Sequence, residues 1–255
     1  MITDPAFYAV AIPAVMLLGV SKSGFGAGFG ALAVPLMAFA VPVPQAAAVL
    51  LPLLALLDAL GVAALLRQAD RTLLGRLLPA GLAGTLAGAA LFRWVAPALV
   101  AGLVGVISLV FAALRVFALQ RGAARALSPG LGRMLAALSG FTSFVAHAGG
   151  PPIGFYLLPL GLEPIVFTAT LSVFFAAINL AKWVPYAWLG LVDAANLATA
   201  LALAPAVPIG VWLGVRIARR ISRAWFERIF VAGMVLTGGK LLYDAIPALR
   251  AALVT

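Results

Sequence analysis

Residues 19–30 read GVSKSGFGAGFG, a glycine-rich break inside an apolar run spanning 6–41. About 120 residues later, 140–152 read GFTSFVAHAGGPP inside a second apolar run. Each break carries polar side chains that hydrocarbon does not tolerate: Ser21, Lys22 and Ser23 in the first, Thr142, Ser143 and His147 in the second. In lipid every backbone N–H and C=O needs a partner, so broken helices persist only where they face protein, water or a ligand. The pairing of these two breaks decides the reading of the fold.

Their surroundings are those of a membrane protein. The 255-residue chain is 65% hydrophobic and 9% charged, with a mean hydropathy of +1.17. A soluble domain is about half apolar and a quarter charged. Apolar stretches of about 20 residues, enough to cross a ~30 Å hydrocarbon core, recur from end to end. No soluble domain fits between them, so the chain reads as one all-α polytopic membrane domain. The net charge of +10 comes mostly from arginines in short loops. There they orient helices in the bilayer, and they are no nucleic-acid footprint. The absence of cysteine excludes disulfides, iron–sulfur clusters and thiol catalysis, and a lone histidine leaves no His-based metal cluster, so no cofactor is expected. The N-terminal MITDPAFYAV has no basic n-region, so a removable signal peptide is not expected.

The apolar segments form a repeat. The broken run 6–41 is followed by spans at 45–66, 73–92 and 97–119. After a basic linker, 120–133, the broken run 134–161 precedes spans at 165–187, 192–215 and 225–246. Pro44 matches Pro164, and Pro-x4-Gly-x3-Gly recurs as Pro79, Gly84, Gly88 and as Pro205, Gly210, Gly214. Self-similarity of this kind marks two structural repeats, 1–119 and 134–255. The small-xxx-small pairs read as helix-packing positions.

Charge sets the topology. Arginines cluster at 67–76, around the central linker and at 216–228. The positive-inside rule puts all three clusters in the cytoplasm. If the second broken run crossed the membrane once, the linker and the last cluster would lie on opposite faces. The conflict disappears if the run enters and leaves on one face or crosses twice, and arms of about 15 and 11 residues are too short for two ordinary spans, so a re-entrant helical hairpin is the simplest solution. The same shape at the first break gives inverted-topology repeats, with both termini extracytoplasmic and the hairpins entering from opposite faces to meet. Paired breaks in such repeats point to a transporter's binding site.

A half-helix N-terminus aims N–H groups and positive partial charge at the gap, which favours an anion. The glycines from Gly24 to Gly30, Gly26 among them, and the Gly149–Gly150 pair let a ligand approach the backbone. Ser21, Ser23, Thr142 and Ser143 supply hydroxyl donors, and Phe25 stands beside them. Lys22 reads as an anion contact or as a lysine that snorkels to water. Lys182 and Asn179, three residues apart, share a helix face. Lys182 also fits an interfacial anchor beside Trp183 and Tyr186. His147 reads as a donor to an anion or a proton carrier, since histidine titrates near physiological pH; the alternative is a histidine that ties the hairpin together. Asp58, deep in a span, is a proton site or the partner of a lysine. No strand precedes the glycines and no GK[ST] follows them, so they are not a nucleotide loop. No second histidine supports a hydrolase, so an enzyme is not expected.

The first break followed by ALAVPLMAF, and GGPPIGFYLLPLGL ahead of a span containing Asn179, resemble the sulfite exporter TauE/SafE family of bacterial membrane proteins. The resemblance covers nearly the whole chain. It implies export of a small sulfur-containing oxyanion, sulfite or a sulfonate, across the inner membrane. It also implies that the breaks line the path, with Ser21 to Phe25 at the first and Thr142, Ser143, His147, Gly149, Gly150 and Pro151 at the second. A carboxylate, amino acid or cation remains the alternative solute. The bilayer is the other partner implied, and the oligomeric state is left open, an oligomer included.

Overall fold

The computed structural model describes residues 1–25, 33–37, 40–41, 43–92, 94, 99, 102, 105–106, 108–110, 112–113, 116, 127–190 and 192–254. Among these residues there is no strand. The helices are α1 (Pro5–Phe25), α2 (Ala33–Met37), α3 (Val43–Leu65), α4 (Arg71–Leu91), α5 (Pro129–Ala146), α6 (Gly150–Leu157), α7 (Pro164–Trp188), α8 (Ala194–Leu203), α9 (Ala206–Ala218) and α10 (Arg223–Val254). The residues described between 99 and 116 are helical where assigned. The chain is an all-α polytopic membrane protein. Among the described residues five helices are long and apolar enough to cross a bilayer, or six if the bent pair α8 and α9 is counted as one span.

Local chemistry sets several helix starts. Asp70 accepts from the N–H groups of Thr72 and Leu73 at 2.9 and 3.0 Å and so caps α4. Ser128 caps α5 through Leu131 N–H, with Pro129 in the first turn. Asp193 caps α8 through Asn196 N–H at 2.7 Å. Each cap satisfies backbone donors that the helix itself leaves open. Because α5 starts at Pro129, residues 129–133 of the expected linker belong to its first turns.

Three features differ from the sequence expectation. The break in the first run does not begin at Gly19: α1 continues through Ser21, Lys22, Ser23 and Gly24 to Phe25. Gly26 and the rest of 26–32 lie outside the described residues. The second break is narrower than 140–152. It occupies His147 to Gly149, and Thr142 and Ser143 lie in the last turns of α5. Finally, 192–215 is not one straight span, since α8 and α9 meet at 52°. Pro205 has no N–H to offer the carbonyl of Leu201. That carbonyl accepts from Ala204 N–H instead, and the tight turn bends the span.

Packing follows small residues. Lipid supplies no hydrophobic force between helices, so close backbone approach does the joining. A Cβ on Gly24 would lie 2.9 Å from the Gly214 carbonyl oxygen, and one on Gly19 2.9 Å from Gly210 Cα. These contacts seam α1 to α9. A Cβ on Gly84 would lie 1.8 Å from the Ala137 carbonyl oxygen, and one on Gly140 1.9 Å from that of Gly81. These seam α4 to α5. One seam thus joins α9 to α1 and the other joins α4 to α5.

Side-chain neighbours give the arrangement across the bundle. Tyr156 of α6 lies against Gly132 in the first turns of α5, so α6 runs back along α5 toward the face where α5 began. Arg76 and Arg133 line one groove on that face. The C-terminal ends of α3 and α9 line another, with Arg216, Arg219 and Arg220. Because α3 leads into α4 through a short turn, arginines from all three clusters lie at one end of the bundle. Ile2 N–H donates to Thr199 Oγ1 in α8 at the other end. Exposed Trp94 and Trp188 stand at the ends of α4 and α7 away from the arginines, while Trp212 and Trp225 stand among them. Tryptophan at both levels is the pattern of two membrane interfaces.

Candidate functional site

Helix α7 carries the site. Thr168, Ser172, Phe175, Asn179, Lys182 and Tyr186 recur in steps of four and three, which places them on one helix face. Lipid does not select a buried stripe of this polarity, so each polar member needs a partner. Each has one. The Thr168 hydroxyl donates to Gly24 O at 3.1 Å and that of Ser172 to Lys22 O at 3.4 Å. Asn179 Nδ2 donates to Asp58 Oδ2 at 2.7 Å. Lys182 Nζ donates to Ser143 O and Oγ, both at 2.7 Å. The Tyr186 hydroxyl donates to Phe144 O at 2.8 Å and lies 3.2 Å from His147 Nε2.

The accepting carbonyls share an origin. A helix leaves its last four C=O groups without internal partners. Ser143 and Phe144 are among the last four residues of α5, and Lys22 and Gly24 lie in the last described turn of α1. Thus α7 closes the C-termini of both long hairpin arms. A helix C-terminus carries roughly half a negative charge, and Lys182 sits where that charge stabilises an ammonium. Pro151 and Pro152 remove two N–H groups from the first turn of α6.

The two lysines are held differently. Lys22 forms an ion pair with Asp58 of α3, which also accepts from Asn179. Lys182 is fully buried and, among the described residues, hydrogen-bonds only to Ser143. An ammonium has three N–H donors, so one remains open. Lys182 lies within electrostatic reach of both Lys22 and Asp58. Lys22, Asp58 and Lys182 carry a formal charge of one positive unit when all three are ionised.

The residues singled out in the sequence fall into three groups. Asn179 and Lys182 lie on the stripe, and Lys22, Ser143 and His147 lie against it. Neither lysine reaches a water surface, at 7% and 0% exposed, so snorkelling and interfacial anchoring do not describe them. Thr142, Gly149 and Gly150 build the hairpin turn. The Thr142 hydroxyl bonds Leu138 O and Ala148 O, Ser139 Oγ bonds Gly149 O at 2.6 Å, and His147 takes the left-handed conformation at φ 51°. Phe25 stacks on Phe226 at 5.7 Å within an aromatic core, and Ser21, Ser23 and Gly24 are buried at the α1 packing surface. Thr168, Ser172 and Tyr186 complete the stripe, with Asp58 against it, and the four-three spacing of polar residues from 168 to 186 is the signal that finds these three.

The stripe runs most of the length of α7. From Thr168 to Tyr186 the stripe rises ~27 Å along α7. The first arm ends near one end of that stripe and the second arm near the other, so the arms pass each other.

A multi-pass bundle with buried ionisable side chains between its spans is an architecture that membrane transporters use. The chain matches the family model described as sulfite exporter TauE/SafE over residues 11–241. It belongs to that family of membrane transporters. No curated protein and no solved structure matches the chain.

Proposed function

We propose that this protein exports a small sulfur oxyanion, sulfite or a sulfonate, across the bacterial inner membrane by alternating access. The observation that carries the reading is Lys182, a fully buried ammonium with no carboxylate partner among the described residues and one open donor. Ser143 and the α5 terminus hold its charge. An arriving oxyanion competes for the same N–H groups, and charge-assisted bonds favour it. Asn179, Ser143 and His147 supply further contacts. Lys22 acts through Asp58, since that pair neutralises itself and leaves the excess charge with Lys182.

The two matched glycine seams support an inverted repeat in which each long arm moves with a span of the opposite half. The arginines at one end support a cytoplasmic location for that end, with both termini outside. An inside-negative potential then favours loss of an anion by about 2.3 kcal/mol per charge per 100 mV.

Counterflow of labelled sulfite in proteoliposomes tests the reading. Unlabelled sulfite and small sulfonates should drive accumulation, while carboxylates, amino acids and cations should not. Accumulation driven only by the non-sulfur solutes would overturn it in favour of the alternative solute class.

A further inference from the structure

A groove of about 470 Å³ lies away from the polar stripe, between the C-terminal end of α3 and α9. Leu60 and Ala64 form one wall and Val211 and Val215 the other. Arg216, Arg219 and Arg220 line it where α9 ends. No acidic residue lines the groove, and among the described residues no carboxylate pairs with any of the three arginines. Trp212, 61% exposed, also lines it, with the Arg216 guanidinium 5.3 Å from its ring centroid.

We propose that this groove is a binding site for an anionic phospholipid of the phosphatidylglycerol type. The trough is apolar along the membrane-spanning part of α3 and α9 and cationic at the interface end. That gradient matches a molecule with an acyl chain and a phosphodiester head. A small free anion has no use for the apolar walls, and a zwitterionic lipid presents its own cation to the arginines. Guanidinium groups offer phosphate a planar fork of donors. Basic pockets between spans on the cytoplasmic side bind such headgroups. Tryptophan at headgroup depth completes the amphipathic lining.

Occupancy would brace more than the rim. Helices α3 and α9 are in direct contact. Asp58 sits on α3, and the α9 glycines Gly210 and Gly214 hold α1, which carries Lys22. A lipid seated across α3 and α9 therefore spans the two elements that keep the buried ion pair closed.

The test uses the full chain in detergent, with melting temperature and native mass spectrometry read together. Phosphatidylglycerol should raise the melting temperature and remain bound as discrete adducts, while phosphatidylcholine and soluble glycerol phosphate should do neither. Changing Arg216, Arg219 and Arg220 to Gln should weaken phosphatidylglycerol binding on the order of 100-fold, as three near-surface cation contacts imply. Removing these charges can also disturb membrane orientation, so a second variant, Ala64→Trp, fills the trough and leaves the charges in place. It should lose the same lipid increment with an unchanged melting temperature in phosphatidylcholine. Changing Arg67 and Arg71 to Gln, on the same face but outside the groove, should leave the increment intact. Equal stabilisation by both phospholipids, an equal effect from glycerol phosphate, or full retention of the increment by Ala64→Trp would overturn the proposal.

Discussion

The two arms α1 and α5 end against the same face of α7, yet each end settles a buried lysine in its own way. Lys22 meets a carboxylate, Asp58, and the two charges cancel. Lys182 meets a serine hydroxyl and a helix-end carbonyl, which hold an ammonium without cancelling it. A cancelled charge is structure. An uncancelled one in a water-poor interior is a standing attraction for an anion. The contrast separates a lysine that keeps the bundle closed from a lysine available to a ligand.

The largest expected effect breaks the cancelled side. Asp58→Ala leaves Lys22 buried without its counter-charge, which costs about 3–5 kcal/mol in comparable sites. Equilibrium unfolding in mild detergent should show that loss, and changing Lys22 to Met in the same chain should recover most of it. A single variant as stable as the parent would mean that the pair is not closed in the native protein. The uncancelled side should behave in the opposite way. Lys182→Met should leave stability within about 1 kcal/mol, because Ser143 O and Oγ lose a donor without burying a new charge. Sulfite counterflow should nevertheless fall roughly 10- to 150-fold, the equivalent of one charge-assisted bond of ~1.5–3 kcal/mol. Unchanged counterflow would remove Lys182 from the substrate path.

The seams sharpen the comparison further. Gly84→Ala places a methyl 1.8 Å from the Ala137 carbonyl oxygen, so the α4–α5 seam must open. Overpacking of this sort costs about 1–3 kcal/mol. Gly214→Ala meets Val20 O at 2.8 Å and should cost less. Thermal unfolding of the two variants side by side checks the order. The smallest effect belongs to the far end of the stripe. Tyr186→Phe deletes the bond to Phe144 O and should lower stability by ~1 kcal/mol, measured in the same assay.

Much of the fold was legible because its signals are local. Span length, arginine clustering and the periodic prolines are read within 20 residues of chain. The ends of helices were less legible. Gly19 and Gly24 look like a break in sequence, but they remain helical, packed against Gly210 and Gly214, and those partners lie far along the chain. The reverse holds for Pro205, which resembled its counterpart Pro79 in pattern. Pro79 stays inside an intact helix, whereas Pro205 bends its span. At the site, the two lysines and Asn179 were visible as polar residues in apolar runs. Tyr186 was not, because aromatic residues near a span's end usually face the headgroups, and only its 3% exposure and its bond to Phe144 O place it inside.

The seams bear on how the chain is made. During synthesis the first arm enters the membrane well before most of its partners exist. Lys22 waits 36 residues for Asp58, and Lys182 finds Ser143 already in place 39 residues behind it. Gly24, by contrast, waits roughly 190 residues for Gly214. The nascent protein can therefore neutralise its costly charge within a few helices of the ribosome, while the backbone contact that finally holds α1 forms among the last. A chain released after α7 would keep its lysines quiet and lack the partner of its first helix, a state that a membrane protease could distinguish from the finished protein.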